Sequence, residues 1–272
     1  MSTDQLSPIV KVRSRHDGAV AVVVLDSPAN RNALSRALTS SLAEALESVS
    51  TSVHEGRVRA VVLAHTDPAF CAGADLRERA ADRETALAGG PAAPSGGKAM
   101  AHVIGRLMSM PVPTIAAVAG PVRAGGVGLM AACDLVVLHP SVDLAFTEVR
   151  IGVAPAVISV PVLARCPWTA LAGPFLTGET FDADTALRMG LATHISDDVA
   201  GTVDALCAGV LAGAPGAVAA TKRLLRDRGA DGRSLAEMAA LSDELFGSTE
   251  ATEGMAAFLE RRQPSWAQTS SR

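Results

Sequence analysis

The stretch Pro113 to Gly152, PTIAAVAGPVRAGGVGLMAACDLVVLHPSVDLAFTEVRIG, constrains the fold of this chain most tightly. TIAAVA and DLVVL are short apolar runs of the kind that form buried strands. Between them sit a loop, the pair Gly125-Gly126 and a helical segment of about seven residues. A further apolar segment then reads as a second strand running into one carboxylate, Glu148. This is an α/β pattern in which a loop becomes a helix at a residue with no side chain.

The same local design occurs earlier. Phe70-Cys-Ala-Gly-Ala-Asp-Leu-Arg77 follows the strand-like AVVLAH across a loop and opens a helix, with Gly73 at the join. A helix start has unpaired N–H groups and the positive end of the helix dipole. Two such starts converging on one point would hold an oxyanion. Taken singly, each turn is equally an ordinary helix entry. Gly126-Val-Gly128-Leu-Met-Ala131 also matches the dinucleotide fingerprint G-x-G-x-x-A. The short helix after it and the long loop before it argue against that reading, because a βαβ crossover needs about ten to twelve residues or more.

The rest of the chain supplies a scaffold. Residues 8–14 and 18–25 read as strands joined by the turn His16-Asp17-Gly18. Ser35 is placed to cap a helix with apolar residues at Leu34, Leu38, Leu42 and Leu46, and 59–65 reads as a strand. The Gly/Pro/Ser-rich segment 80–98 predicts a mobile loop. A helix ended by Pro111 and Pro113 follows. A short helix is expected within VAPAVISVPVLARCP, and helices at roughly 182–190, 201–212, 216–228, 235–246 and 249–262. The expected division is an α/β core over residues 1–200 and an all-helical C-terminal region over 201–272.

Composition narrows the function. The chain has no Tyr, two Trp and a net charge of −4, which leaves neither stacking platforms nor a basic footprint for nucleic acid. Four cysteines without CxxC spacing and six histidines without paired spacing imply free thiols and no metal. No apolar run has the length and purity of a membrane span, and MSTDQLSPIV lacks the apolar centre of a secretory signal. The expectation is a cytoplasmic protein.

AFCAGADL, then GPVRAGGVGLMAACDLVV, then FTEVRIG resemble the crotonase superfamily of enoyl-CoA hydratases and isomerases. LDSPANRNAL, LTGETFDADTALRMGLATHI and GMAAFLERRQP extend the resemblance over nearly the whole chain. It implies a spiral core of β-β-α units, and an oxyanion hole made by the N–H groups of Ala74 and Gly125. It implies Glu148 as the catalytic acid/base, and a coenzyme A path along Ala33, Ala72, Asp75, Leu76 and Gly126. Asp75 on its own reads as an acid favouring a helix start. Arg31 or Arg261 would meet the phosphates. No separate cofactor is implied, since coenzyme A is part of the substrate, and the implied assembly is a homotrimer or dimer of trimers.

One departure bears on the reaction. Hydratases of the standard type have a second glutamate where this chain has Gly128. The leading expectation is an enoyl-CoA hydratase. The alternatives are a hydratase of branched 3-methylglutaconyl-CoA, which the local runs resemble, and a single-base enoyl-CoA isomerase. A non-enzymatic acyl-CoA-binding subunit is the competing class. The acyl pocket is expected from segments 80–110 and 150–165.

Overall fold

The computed structural model describes residues 9–91, 93–226 and 235–267. Position 8 of the first expected strand and 227–228 of the helix expected over 216–228 lie outside them.

Strands β1 (Val10–Arg15) and β2 (Val20–Leu25) form an antiparallel hairpin around His16–Gly18. Every residue of β2 is buried. Ala21, Val23 and Leu25 face one core cluster, and Val20, Val22 and Val24 face the other. A strand covered on both sides must be apolar throughout, which is why VAVVVL does not alternate. Helix α1 (Arg36–His54) starts where Ser35 Oγ accepts the Leu38 N–H at 3.2 Å. It buries Leu38, Leu42, Leu46, Val49 and Val53 against the sheet. Each fully buried leucine contributes about 2–3 kcal/mol of transfer free energy.

The chain then repeats one structural unit without repeating its sequence. Strand β3 (Ala60–His65) is followed by isolated bridges at Cys71 and Ala74, then helices α2 (Leu76–Leu87) and α3 (Gly96–Ser109). Next come β4 (Thr114–Val118), β5 (Val122–Arg123) and α4 (Gly125–Ala132). Strands β6 (Leu135–Leu138) and β7 (Asp143–Ala145) precede a 3-10 turn, Thr147–Ile151, and α5 (Ala156–Leu163). After them run α6 (Trp168–Thr177), β8 (Thr180–Asp182), α7 (Ala183–Met189) and β9 (His194–Ile195). Helices α8 (Val199–Ala212), α9 (Pro215–Arg226), α10 (Leu235–Phe246) and α11 (Thr249–Glu260) follow, and a 3-10 turn, Ser265–Ala267, ends the described chain. The larger sheet has the order β1-β2-β3-β4-β6-β9, parallel after the hairpin, and the smaller has β5-β7-β8. In each unit the chain visits the large sheet, crosses to the small one, and leaves through a helix. The fold is α/β, with α1, α3 and α4 on one face of the large sheet and α8, through Val203 and Cys207, on the other.

Three expectations change. The segment 80–98 is mostly helix: α2 runs to Leu87, and α3 begins at Gly96. Asp75 caps α2, whose Arg, Glu and Ala residues favour helix, and Ser95 caps α3 so that two glycines begin it. Glu148 does not end a strand, because β7 stops at Ala145 and the 3-10 turn starts at Thr147. Phe146 turns inward there, its ring 4.2 Å from Phe175 and 5.6 Å from Phe181. Helix α6 is an addition; Pro174 inside it masks the helical pattern. Among the described residues no single helix is long and apolar enough to cross a membrane.

Candidate active site

The two glycine turns lie against each other. Cys71 bridges Val122 and Ala74 bridges Leu34, both in parallel, so the loop 71–74 is threaded between the segment at 34 and β5. Arg123 N–H donates to Cys71 O at 2.9 Å, Leu34 N–H to Gly73 O at 2.7 Å, and Ala124 N–H to Ala145 O at 2.9 Å. Gly73, with φ at +89°, permits the closest approach: a Cβ there would stand 3.1 Å from Ala124 Cβ. These bonds leave two amides over. Among the described residues neither the Ala74 nor the Gly125 N–H has an acceptor.

Helix α4 starts from strain. Ala124, its N-cap, has φ 48° and ψ −119°, a region costing an L-residue about 1–3 kcal/mol. The strained residue turns the chain from β5 into α4 and so aims the Gly125 amide. Ala124→Gly is therefore expected to stabilise the protein by about 1 kcal/mol, after the extra freedom of glycine in the unfolded chain is subtracted. Thermal unfolding checks this, and an unchanged or lower Tm contradicts the strain.

The opposite end of α4 is held by cations. Arg226 Nη2 donates to Ala132 O at 2.7 Å, and Arg165 Nη1 to Cys133 O at 2.5 Å. Positive charge there complements the negative end of the dipole. Asp134, just beyond, accepts from Lys222 Nζ at 2.7 Å, Arg226 Nε at 2.8 Å and Thr114 N–H at 2.8 Å. Burial opposes its ionisation, but Lys222 and Arg226 outweigh burial and hold its carboxyl below the usual range. The same burial pushes the Lys222 ammonium down. The two charges stabilise each other, and Asp134 is ionised.

A cavity of about 290 Å³ opens in front of the two helix starts. Ala72, Ala74, Leu76, Gly125 and Glu148 line it together. Ala33, Asp75 and Gly126 do not. Ala33 is buried one residue from Leu34, which does line it. Asp75 caps α2 with Oδ1 and receives Asn30 Nδ2 on Oδ2 at 3.3 Å. Gly126 packs on Cys71, where a Cβ would come within 2.6 Å of Cys71 Cβ. Met100 of α3 and the run Val153–Ile158 supply much of the apolar wall, from the two segments expected to form the acyl pocket. Residue spacing marked Leu34 only as part of a helical apolar face and did not single out Met100 or Ile158; long-range packing brings all three here.

Glu148 is the only carboxylate among the described residues lining this cavity. Its Oε2 is buried and has no hydrogen-bond partner. Burial raises its pKa above the ordinary glutamate value, only partly offset by its own backbone N–H. Arg150, the neighbouring cation, donates instead to Thr177 O at 3.3 Å. Such a carboxylate can exchange protons with a ligand held in an apolar pocket. Cys71, close by, is no nucleophile: burial pushes its thiol up to about 12. His65 is held between the Ala119 N–H on Nε2 and Thr66 O near Nδ1, and His139 contacts Ser141. Among the described residues no group of three or more His, Cys, Asp or Glu is placed to hold a metal.

The chain is similar to known proteins over nearly its whole length. The family model described as enoyl-CoA hydratase/isomerase matches residues 15–269. A Thermus thermophilus protein named as an enoyl-CoA hydratase is 36% identical over 253 residues, which cover 91% of this chain and 97% of its own. The crystal structure of an enoyl-CoA hydratase from Mycobacterium avium is 40% identical, with a TM-score of 0.69, and covers 96% of this chain and 100% of its own. That of a Mycobacterium smegmatis enoyl-CoA hydratase is 28% identical, with a TM-score of 0.83 and the same coverage.

Proposed function

This chain belongs to the enoyl-CoA hydratase/isomerase family, and on that footing we propose that it acts on an acyl-CoA thioester as an enoyl-CoA hydratase. The carbonyl oxygen sits between the N–H groups of Ala74 and Gly125, and Glu148 moves the proton. The observation that carries this is the partnerless, buried Oε2 of Glu148 in the cavity that both helix starts face.

The chemistry follows from charge. The Gly125 amide at the start of α4 and the Ala74 amide just ahead of the α2 cap polarise the thioester and draw electron density from the C2–C3 double bond, leaving C3 open to attack. Glu148 takes a proton from water as its oxygen bonds to C3, and the electron pair moves onto the carbonyl oxygen. The enolate is stabilised by the two N–H groups, each worth about 3–4 kcal/mol of barrier in comparable holes. Glu148 then returns the proton to C2. Of the residues expected along the coenzyme A path, Ala72 and Leu76 line the cavity and border the route for the arm. The reaction needs neither metal nor separate cofactor.

A second reading has its own observation. With Gly128 where standard hydratases have an acid, a single carboxylate faces the substrate. One base suffices to shuttle a proton between two carbons, so a single-base enoyl-CoA isomerase fits, as does a hydratase of 3-methylglutaconyl-CoA. The test is product analysis with crotonyl-CoA, 3-methylglutaconyl-CoA and a 3-enoyl-CoA. Loss of conjugated absorbance with a 3-hydroxyacyl product identifies a hydratase; its appearance from the 3-enoyl ester identifies an isomerase. Tight acyl-CoA binding without turnover of any ester would sink both readings in favour of a binding subunit.

We also propose self-association into a trimer or dimer of trimers, with the α/β core as one unit over residues 1–200 and the helical region 201–272 contributing to assembly. Trp168 and Leu176 of α6 and Phe258 and Leu259 of α11 are 71–83% exposed, apolar side chains that assembly would cover. A monomeric mass in solution would refute assembly.

A further inference from the structure

Ile158, on the first turn of α5, is only 3% exposed yet lines the cavity. Its opposite side rests on α4. A Cβ built on Gly128 would lie 2.4 Å from Ile158 Cγ2 and 2.7 Å from Ile158 Cβ. Behind that contact stands Ile104 of α3, whose Cδ1 would be 3.3 Å from the same Cβ. Ile158 is thus a wedge between the cavity and the seam of α3 and α4. Gly128 does not reach the cavity because Ile158 covers it.

We propose that Ile158 sets the depth of the acyl pocket and restricts the site to short acyl groups. The inference rests on the acyl-CoA reading above. If the thioester oxygen is fixed at the helix starts, pocket depth is measured from a fixed point, and a rigid wall becomes a ruler. Ile158 has that rigidity, because a β-branched side chain in a helix holds essentially one χ1 rotamer. Met100, which also lines the cavity, is flexible and yields to a ligand. Gly128 adds no side chain of its own, so trimming Ile158 opens space up to Ile104. Ile158→Ala removes about three carbons.

The experiment measures binding of butyryl-, hexanoyl- and octanoyl-CoA to the wild type, Ile158→Val and Ile158→Ala. These saturated esters bind whether or not the chain hydrates or isomerises. In the wild type, affinity should fall from butyryl- to octanoyl-CoA. Ile158→Ala should tighten octanoyl-CoA about tenfold, the effect of burying roughly two more methylenes, and leave butyryl-CoA unimproved. Ile158→Val should shift the preference less, about threefold, and carries the test if the alanine variant fails to fold. A chain-length profile unchanged in both variants overturns the ruler alone, as does a wild type that already prefers octanoyl-CoA. Absence of binding by every acyl-CoA overturns the acyl-CoA reading and this inference with it.

Discussion

Glu148→Gln is expected to lower kcat by about 10²–10⁴-fold, the usual contribution of a positioned acid or base, while binding of a saturated acyl-CoA changes little. Glutamine keeps the shape of the side chain and loses the proton. In the wild type, kcat/KM should fall as pH drops through the raised pKa of Glu148, since the base must be ionised. The variant should lose that acidic limb. Stability should move the other way. Because the folded state raises this pKa, it binds the proton more tightly than the unfolded chain does. Stability is therefore lost as pH rises from the ordinary glutamate range through the folded value, and at neutral pH the ionised Glu148 is a cost. Removing the charge should raise the Tm of the variant at pH 7 and leave the two proteins alike in acid. A variant both fully active and no more stable would place Glu148 outside the chemistry.

Asp134→Ala should be the most destabilising of the substitutions considered. It leaves the Lys222 ammonium, 8% exposed, and the Arg226 guanidinium without their carboxylate, and the Thr114 N–H without its acceptor. Breaking a buried pair in this way costs about 3–5 kcal/mol, which for a chain of this size lowers Tm by roughly 10 °C. Lys222→Met should cost much less, because Arg226 still answers Asp134. The loss should also reach activity, since Arg226 ties α9 to the Ala132 carbonyl that ends the helix whose first amide is Gly125. Thermal unfolding of the two variants, compared with their kcat, separates the effects. Equal destabilisation by Asp134→Ala and Lys222→Met would contradict the ranking.

What the residues disclosed on their own was local. Ser35 capping α1 and the strand VAVVVL follow from side chains within a few positions. So does the helix start at Gly125, because its glycine pair, short helix and following strand are contiguous. The lone acid at 148 was visible, but its setting was not. Only the three-dimensional packing shows a 3-10 turn anchored by Phe146, with the carboxylate buried and unpaired. Segment 80–98 misled because glycines and two prolines, Pro91 and Pro94, outweighed two capping residues, Asp75 and Ser95, that rescue helix on either side. The Arg226–Asp134 pair joins positions 92 residues apart, and the contact of Gly128 with Ile158 crosses two helices; no periodicity encodes either.

The proposed chemistry needs two amides and one carboxylate to meet on a single thioester. A crystal structure with an unreactive acyl-CoA tests it most directly. The thioester oxygen should lie within about 3 Å of both Ala74 N and Gly125 N, with the Glu148 carboxylate facing C2 and C3. A carbonyl bound elsewhere, or touching only one of the two amides with Glu148 turned away, would contradict it.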